Sequence, residues 1–189
     1  MRSTLAIVAL VSCSCATLAW AGRKHHPWLS IVKSTDGYLF EGRLERTEFS
    51  FDIPGDQIQV GQQEEPGDPA TMAIDELFFS VVRVSTSDFA PTGPDTLAAY
   101  KEYEQQYERD NLGHVTLSDL DVCEGASLQH VSWQLEPLDV KAPAQTFMAV
   151  AAGDYVIVVG SAFENAEQKK AMLGKFSSLC ESFEIAGAK

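Results

Sequence analysis

The chain has 189 residues, 45% of them hydrophobic, and carries 27 acidic against 14 basic side chains for a formal charge of −13. That length and apolar content suit one domain with a proper core and exclude extensive disorder. The acidic surplus argues against nucleic acid and against charge-driven binding to anionic lipid; solubility is its plainest use, and attraction of a basic partner the sharper reading.

Residues 1–21 read as an export signal: Arg2 gives a positive start, residues 5–18 an apolar stretch, and Ala19-Trp20-Ala21 a small-x-small cleavage site. Cleavage between Ala21 and Gly22 leaves 168 residues and, by removing Arg2, deepens the charge to −14. A second reading takes Leu10-Val11-Ser12-Cys13 as a bacterial lipobox, with Cys13 the lipidated first residue. A third, an uncleaved anchor, is interrupted by Ser12, Ser14 and Thr17. The preferred expectation is a periplasmic or secreted protein with no membrane span after cleavage; an envelope lipoprotein is the alternative.

Cys13 and Cys15 fall in the leader, so Cys123 and Cys180 remain as an even pair in an oxidising compartment. A disulfide is the default, with two buried free thiols as the other reading. Closing that loop would contribute roughly 3–5 kcal/mol by restricting the unfolded chain.

Residues 22–36, with Arg23, Lys24, His25, His26 and Pro27, show no clear period and read as a flexible arm. Residues 38–44 and 48–53 look like two strands; in the second, Phe49, Phe51 and Ile53 alternate with Ser50 and Asp52. Residues 57–60 suggest another short strand, and 62–70 a loop rich in Glu, Gly and Pro. Residues 77–85 are nearly continuously apolar, as in a strand covered on both faces. Residues 94–110 then read as an amphipathic helix, started at Pro94 and ended near Gly113, with Leu97, Tyr100, Tyr103 or Glu104, and Tyr107 inward.

Strand patterns follow at 115–122, at Val131, Trp133 and Leu135, at 144–151 and at 155–163, the last two joined by the turn pair Gly153-Asp154. Residues 164–182 form the second long helix, with Met172, Phe176, Leu179, Cys180 and Phe183 facing the sheet, and 183–186 a last short strand. The pattern predicts an α+β domain: an antiparallel sheet with two long helices packed on it.

No catalytic constellation emerges. His25-His26 are adjacent and unsuited to chelating one metal together. His114 and His130, with Asp119, Asp121 and Glu124 nearby in sequence, would need three or four ligands on one face. Asp119 and Asp121 share a face by strand spacing, but it lies opposite Leu120 and Val122 and reads as solvated. Ser30-Ile31-Val32-Lys33 matches Ser-x-x-Lys without its partner motifs, and Gly160-Ser161-Ala162 lies inside a strand pattern rather than on a nucleophile elbow. No phosphate-cradling glycine loop is present. No cofactor or metal is expected.

Three stretches carry a family likeness. Phe49-Ser50-Phe51-Asp52-Ile53-Pro54-Gly55 resembles the opening strand of the PsbP/DcrB-like superfamily. The segment Gly153-Asp154-Tyr155-Val156-Ile157-Val158-Val159-Gly160-Ser161-Ala162-Phe163 resembles its late hairpin strand. Lys175-Phe176-Ser177-Ser178-Leu179-Cys180-Glu181-Ser182-Phe183 resembles its final helix and exit. The resemblance covers about residues 38–185 and implies an exported bacterial member, an α/β/α sandwich around an antiparallel sheet, with a single domain over 37–187. Members are mostly non-enzymatic binding or assembly modules, so no active site is transferred. The expectation is an exported, non-enzymatic protein-binding or assembly module of the cell envelope, with a protein partner of basic character in one variant. The alternative is a small-ligand- or metal-binding protein, or a hydrolase, using His114, His130, Asp119 and Asp121.

Overall fold

The computed structural model describes residues 24–26, 28–61, 68–89, 96–112, 114–138 and 142–187. The expected leader, the Ala21–Gly22 junction and Cys13 lie outside them. The first strands are β1 (Lys24–His26), β2 (Leu29–Lys33), β3 (Gly37–Leu44), β4 (Thr47–Pro54), β5 (Ile58–Val60), β6 (Ala70–Ile74) and β7 (Leu77–Ser85). After helix α1 (Thr96–Leu112) come β8 (Val115–Asp119), β9 (Val131–Pro137), β10 (Ala144–Ala152) and β11 (Tyr155–Phe163). Helix α2 (Ala166–Ser182) and strand β12 (Glu184–Gly187) complete the order.

The strands form two antiparallel sheets, one ordered β1-β2-β3-β4-β12 and the other β5-β6-β7-β11-β10-β9-β8. The α+β class, the antiparallel pairing and both long helices are as the sequence predicts. The single expected sheet divides in two because β5 leaves the first sheet and pairs with β6. Side-chain alternation reads which face is buried, not which sheet a strand joins.

Alternation explains the main core. Phe40, Phe49, Phe51 and Ile53 of the five-stranded sheet face Met72, Ile74, Phe79, Val81, Met148, Ile157 and Val159 of the other, all buried. Phe40 stacks on Phe51 at 5.0 Å between ring centroids, and Phe183 stacks on Phe51 at 5.4 Å and on Phe49 at 6.1 Å. Gly42 is required here: it pairs with Phe49, and a Cβ at Gly42 would overlap that ring. Helix α2 adds Met172, Phe176, Leu179 and Cys180 to this core. It starts cleanly because the Asn165 side chain accepts from the Gln168 amide at 2.9 Å while the Gln168 side chain accepts from the Glu164 amide at 2.7 Å.

A second core lies on the other face of the seven-stranded sheet, where Leu97 and Tyr100 of α1 meet Trp133, Leu135, Phe147, Ala149, Val156 and Val158. Strands β10 and β11 are therefore apolar on both faces, as their near-continuous hydrophobic runs demand. The turn joining them places Gly153 alone at positive φ, 63°, as a type II′ hairpin requires.

Several expectations need correction. The segment read as an arm contains β1 and β2; β2 pairs with β3 and buries Leu29 and Ile31, so the folded unit includes residues before 37. The Leu29, Ile31 alternation is only one period long and follows Pro27, which hid it. Strand β6, with Met72 and Ile74 inward, begins where the expected loop 62–70 ends and fills a stretch to which the sequence pattern assigned no element. Strand β8 stops at Asp119 rather than 122. The buried stripe of α1 is Leu97, Tyr100 and Glu108, while Tyr103 and Tyr107 are half-buried.

Candidate functional site

The histidine and aspartate neighbourhood does not converge. Strands β8 and β9 are antiparallel, with Val115 opposite Pro137 and Asp119 opposite Trp133. His114 precedes β8, level with Leu138 whose amide it accepts, and His130 precedes β9, so the two histidines sit at opposite ends of the pair, eight positions of strand or about 26 Å apart. His130 does meet Asp121: its Nε2 is 3.2 Å from the Asp121 carboxylate, and its Nδ1 3.0 Å from the Leu128 carbonyl. The same Asp121 oxygen accepts from the Cys123 amide at 3.0 Å. Asp119 falls on the α1 side of β8 and pairs with Lys101 at 2.7 Å. Among the described residues, no three His, Cys, Asp or Glu side chains are grouped to hold a metal ion.

Cys123 and Cys180 are at disulfide-bonding distance, with Cα atoms 5.4 Å apart. Both are buried, and the Met148 thioether lies 3.5 and 3.6 Å from their sulfurs. The pair links the segment after β8 to the inner face of α2, which the helical position of Cys180 anticipates.

One face of the molecule is open and acidic. Ser30, Glu41, Ser50 and Glu184 form a continuous row across β2, β3, β4 and β12 on the outer face of the five-stranded sheet. The next row sets Arg43 beside Glu48 and Ala186. Glu41, Arg43, Glu48 and Glu184 are exposed, and Asp52 is half-buried on the same face. Ser30 donates a long bond to Glu41, and Arg43 pairs with Glu48 at 3.4 Å, an exposed pair of small energetic weight. Four carboxylates thus share this face with Arg43, its single Lys or Arg among the described residues, and the Ser30 row continues in register to His25 on β1. The alternation that identifies β3 and β4 also places these charges outward; only their alignment across strands needed the register.

A second feature escaped the sequence reading. Glu108 on α1 is 3% exposed, with Oε1 at 3.5 Å from the Trp133 indole nitrogen and Oε2 without a hydrogen-bond partner among the described residues. Burial, reinforced by the charge of Glu104 one turn earlier, pushes its carboxyl up to about 8. Burial also raises Glu104, against the pull of its bond with Tyr100. The signal is present as the stripe 97–100–104–108: the spacing offers Glu104 as the alternative to Tyr103, but the aromatic Tyr107 is taken as inward in place of Glu108.

A groove of about 570 Å³ runs between the β6–β7 turn and α2, lined by Pro54, Asp75, Asn165, Glu167 and Lys175 among others. Its charged heart is already occupied: Lys175 donates to Asp75 at 2.8 Å and to the Pro54 carbonyl, and Asp75 accepts from the Asp56 and Gln57 amides. Burial works against the Asp75 anion, yet the bonds from Lys175, Gln57 and Asp56 outweigh it and hold the carboxyl below its usual range.

These features define an α+β protein of two antiparallel sheets and two helices, with one acidic sheet face left uncovered by the described residues. No protein-family model and no curated protein matches the chain. Among solved structures, the solution structure of cyanobacterial PsbP (CyanoP) from Synechocystis sp. PCC 6803 is similar over 93% of this chain and 99% of that one, at 14% identity and a TM-score of 0.48. The likeness concerns the course of the chain and transfers no residue's role.

Proposed function

We propose that this chain is an exported, non-enzymatic protein-binding or assembly module of the cell envelope, and that the outer face of its five-stranded sheet receives a basic partner. The observation that carries this reading is the placement of Glu41, Glu48, Asp52 and Glu184 on one face where Arg43 is the single Lys or Arg among the described residues. Carboxylates held at strand spacing on a rigid sheet attract a basic surface before contact and fix its orientation after it. Two further points support the reading. Residues 1–21 have the order of an export signal, and a cysteine pair at bonding distance suits an oxidising compartment.

The experiment is affinity capture from the envelope fraction of the source cells, using the chain from Gly22 onward and its E41Q/E48Q/E184Q variant at low and high ionic strength. Proteins held by the wild type at low salt, released at high salt and absent from the variant support the proposal. Capture that is indifferent to salt and to the three substitutions overturns it, as does failure to retain any protein.

A further inference from the structure

We propose that α1 is a proton-dependent latch: it docks on β8, β9 and β10 with the Glu108 carboxyl protonated, and loss of that proton releases the helix from the sheet. This inference is independent of the acidic face on the other sheet.

The geometry of the dock carries it. Helix α1 packs against β8, β9 and β10 and buries Leu97, Tyr100 and Glu108 there. The sheet positions facing it are Val115, Leu117 and Asp119 on β8, Val131, Trp133 and Leu135 on β9, and Gln145, Phe147, Ala149 and Ala151 on β10. Asp119 is the one charged group among them, and Lys101 of α1 already pairs with it. On α1 itself, Glu104 presents a like charge to Glu108, and Arg109, the neighbouring base, is exposed and only a weak counterweight. An ionised Glu108 would have the Trp133 N–H at 3.5 Å for one oxygen and, among the described residues, nothing for the other. A buried carboxylate so poorly satisfied among the described residues is costly, whereas the neutral acid is tolerated. Releasing the helix hydrates the carboxylate and uncovers Trp133, Leu135 and Phe147.

The sign follows from linkage. Docked, the carboxyl holds its proton up to about pH 8; released, it reverts to the ordinary value near 4.5. Between those values the docked state binds one proton more, so each rise of one pH unit moves the equilibrium about tenfold toward release. Below that window docking is strongest, and above it the effect levels off.

Amide hydrogen exchange of the whole chain from pH 5.5 to 8.5, corrected for intrinsic exchange rates, tests the latch. Protection of α1 amides should fall about tenfold per pH unit in the wild type, while α2 amides serve as the internal control. In E108Q the α1 slope should vanish. In E104Q the upper end of the window should move to lower pH, because the neighbouring charge is gone. Wild-type α1 protection that does not vary with pH, or that varies in step with α2, overturns the proposal without recourse to any variant. A slope that survives E108Q overturns it equally.

Discussion

Lys175, on the third turn of α2, reaches Asp75 in the β6–β7 turn at 2.8 Å, bridging positions 100 residues apart. Asp75 also accepts the Asp56 and Gln57 amides, so one carboxylate gathers the exit of β4, the start of β5, the β6–β7 turn and α2. K175M should cost about 1–2 kcal/mol in urea denaturation, since it removes charge-assisted bonds to Asp75 and Pro54 while keeping the apolar stem. Because the folded Asp75 titrates below its usual value of 3.8, the stability it adds is present above that value and is lost as pH falls through the lower, folded one. D75N should therefore flatten the acid limb of the stability curve; an unchanged limb would count against this assignment.

The same turn stores strain. Asp75 and Glu76 both have positive φ, 49° and 70°, the type I′ pattern, with no glycine at either position. E76G creates Asp-Gly, a pair this turn favours, and should stabilise the protein by about 0.5–1 kcal/mol despite the added freedom of the unfolded chain. A rise in the urea midpoint with unchanged m checks it.

Gly42 beneath Phe49 gives a steric test. G42A should destabilise by about 1–3 kcal/mol, because the new methyl group displaces a ring that contacts Trp28, Phe51 and Phe183. The double variant G42A/F49L should cost less than the two single substitutions summed, a coupling measurable by a double-mutant cycle. Strict additivity would show that the two residues do not compete for one space.

The Cys123–Cys180 link predicts a mass two daltons below that of the dithiol and no thiol reactive after denaturation without reductant. C123A/C180A should lose about 2–5 kcal/mol, read from denaturant titration, with the segment after β8 the first to gain proteolytic sensitivity. Equal stability of the oxidised protein and this variant would show that the covalent link contributes nothing.

Where the sequence spoke through period and punctuation, it was legible. The Met172, Phe176, Leu179 stripe marks α2, Gly153-Asp154 the β10–β11 turn, and the Phe49, Phe51, Ile53 alternation the buried face of β4. Three things were not legible, each for a physical reason. Leu29 and Ile31 offer too short a period to announce β2, whose formation depends on β3 alongside. The division into two sheets depends on hydrogen-bond partners, which side-chain alternation does not encode. Glu108 looks solvated by residue type, and only the packed indole of Trp133 shows otherwise. The acidic face was foreshadowed as net charge, but its alignment through Ser30, Glu41, Ser50 and Glu184 exists only in the register.

The pairing of β12 with β4 has a consequence for how the molecule assembles. The Asp52 amide donates to Ser182, 130 positions away, and Phe183 seals the ring stack begun by Phe40 and Phe51. A nascent polypeptide emerging amino end first would hold those rings exposed until its distal helix arrives. Such long-range closure slows acquisition of the native state, and leaves the apolar rings open to misdirected contacts for longer than a locally closed fold would.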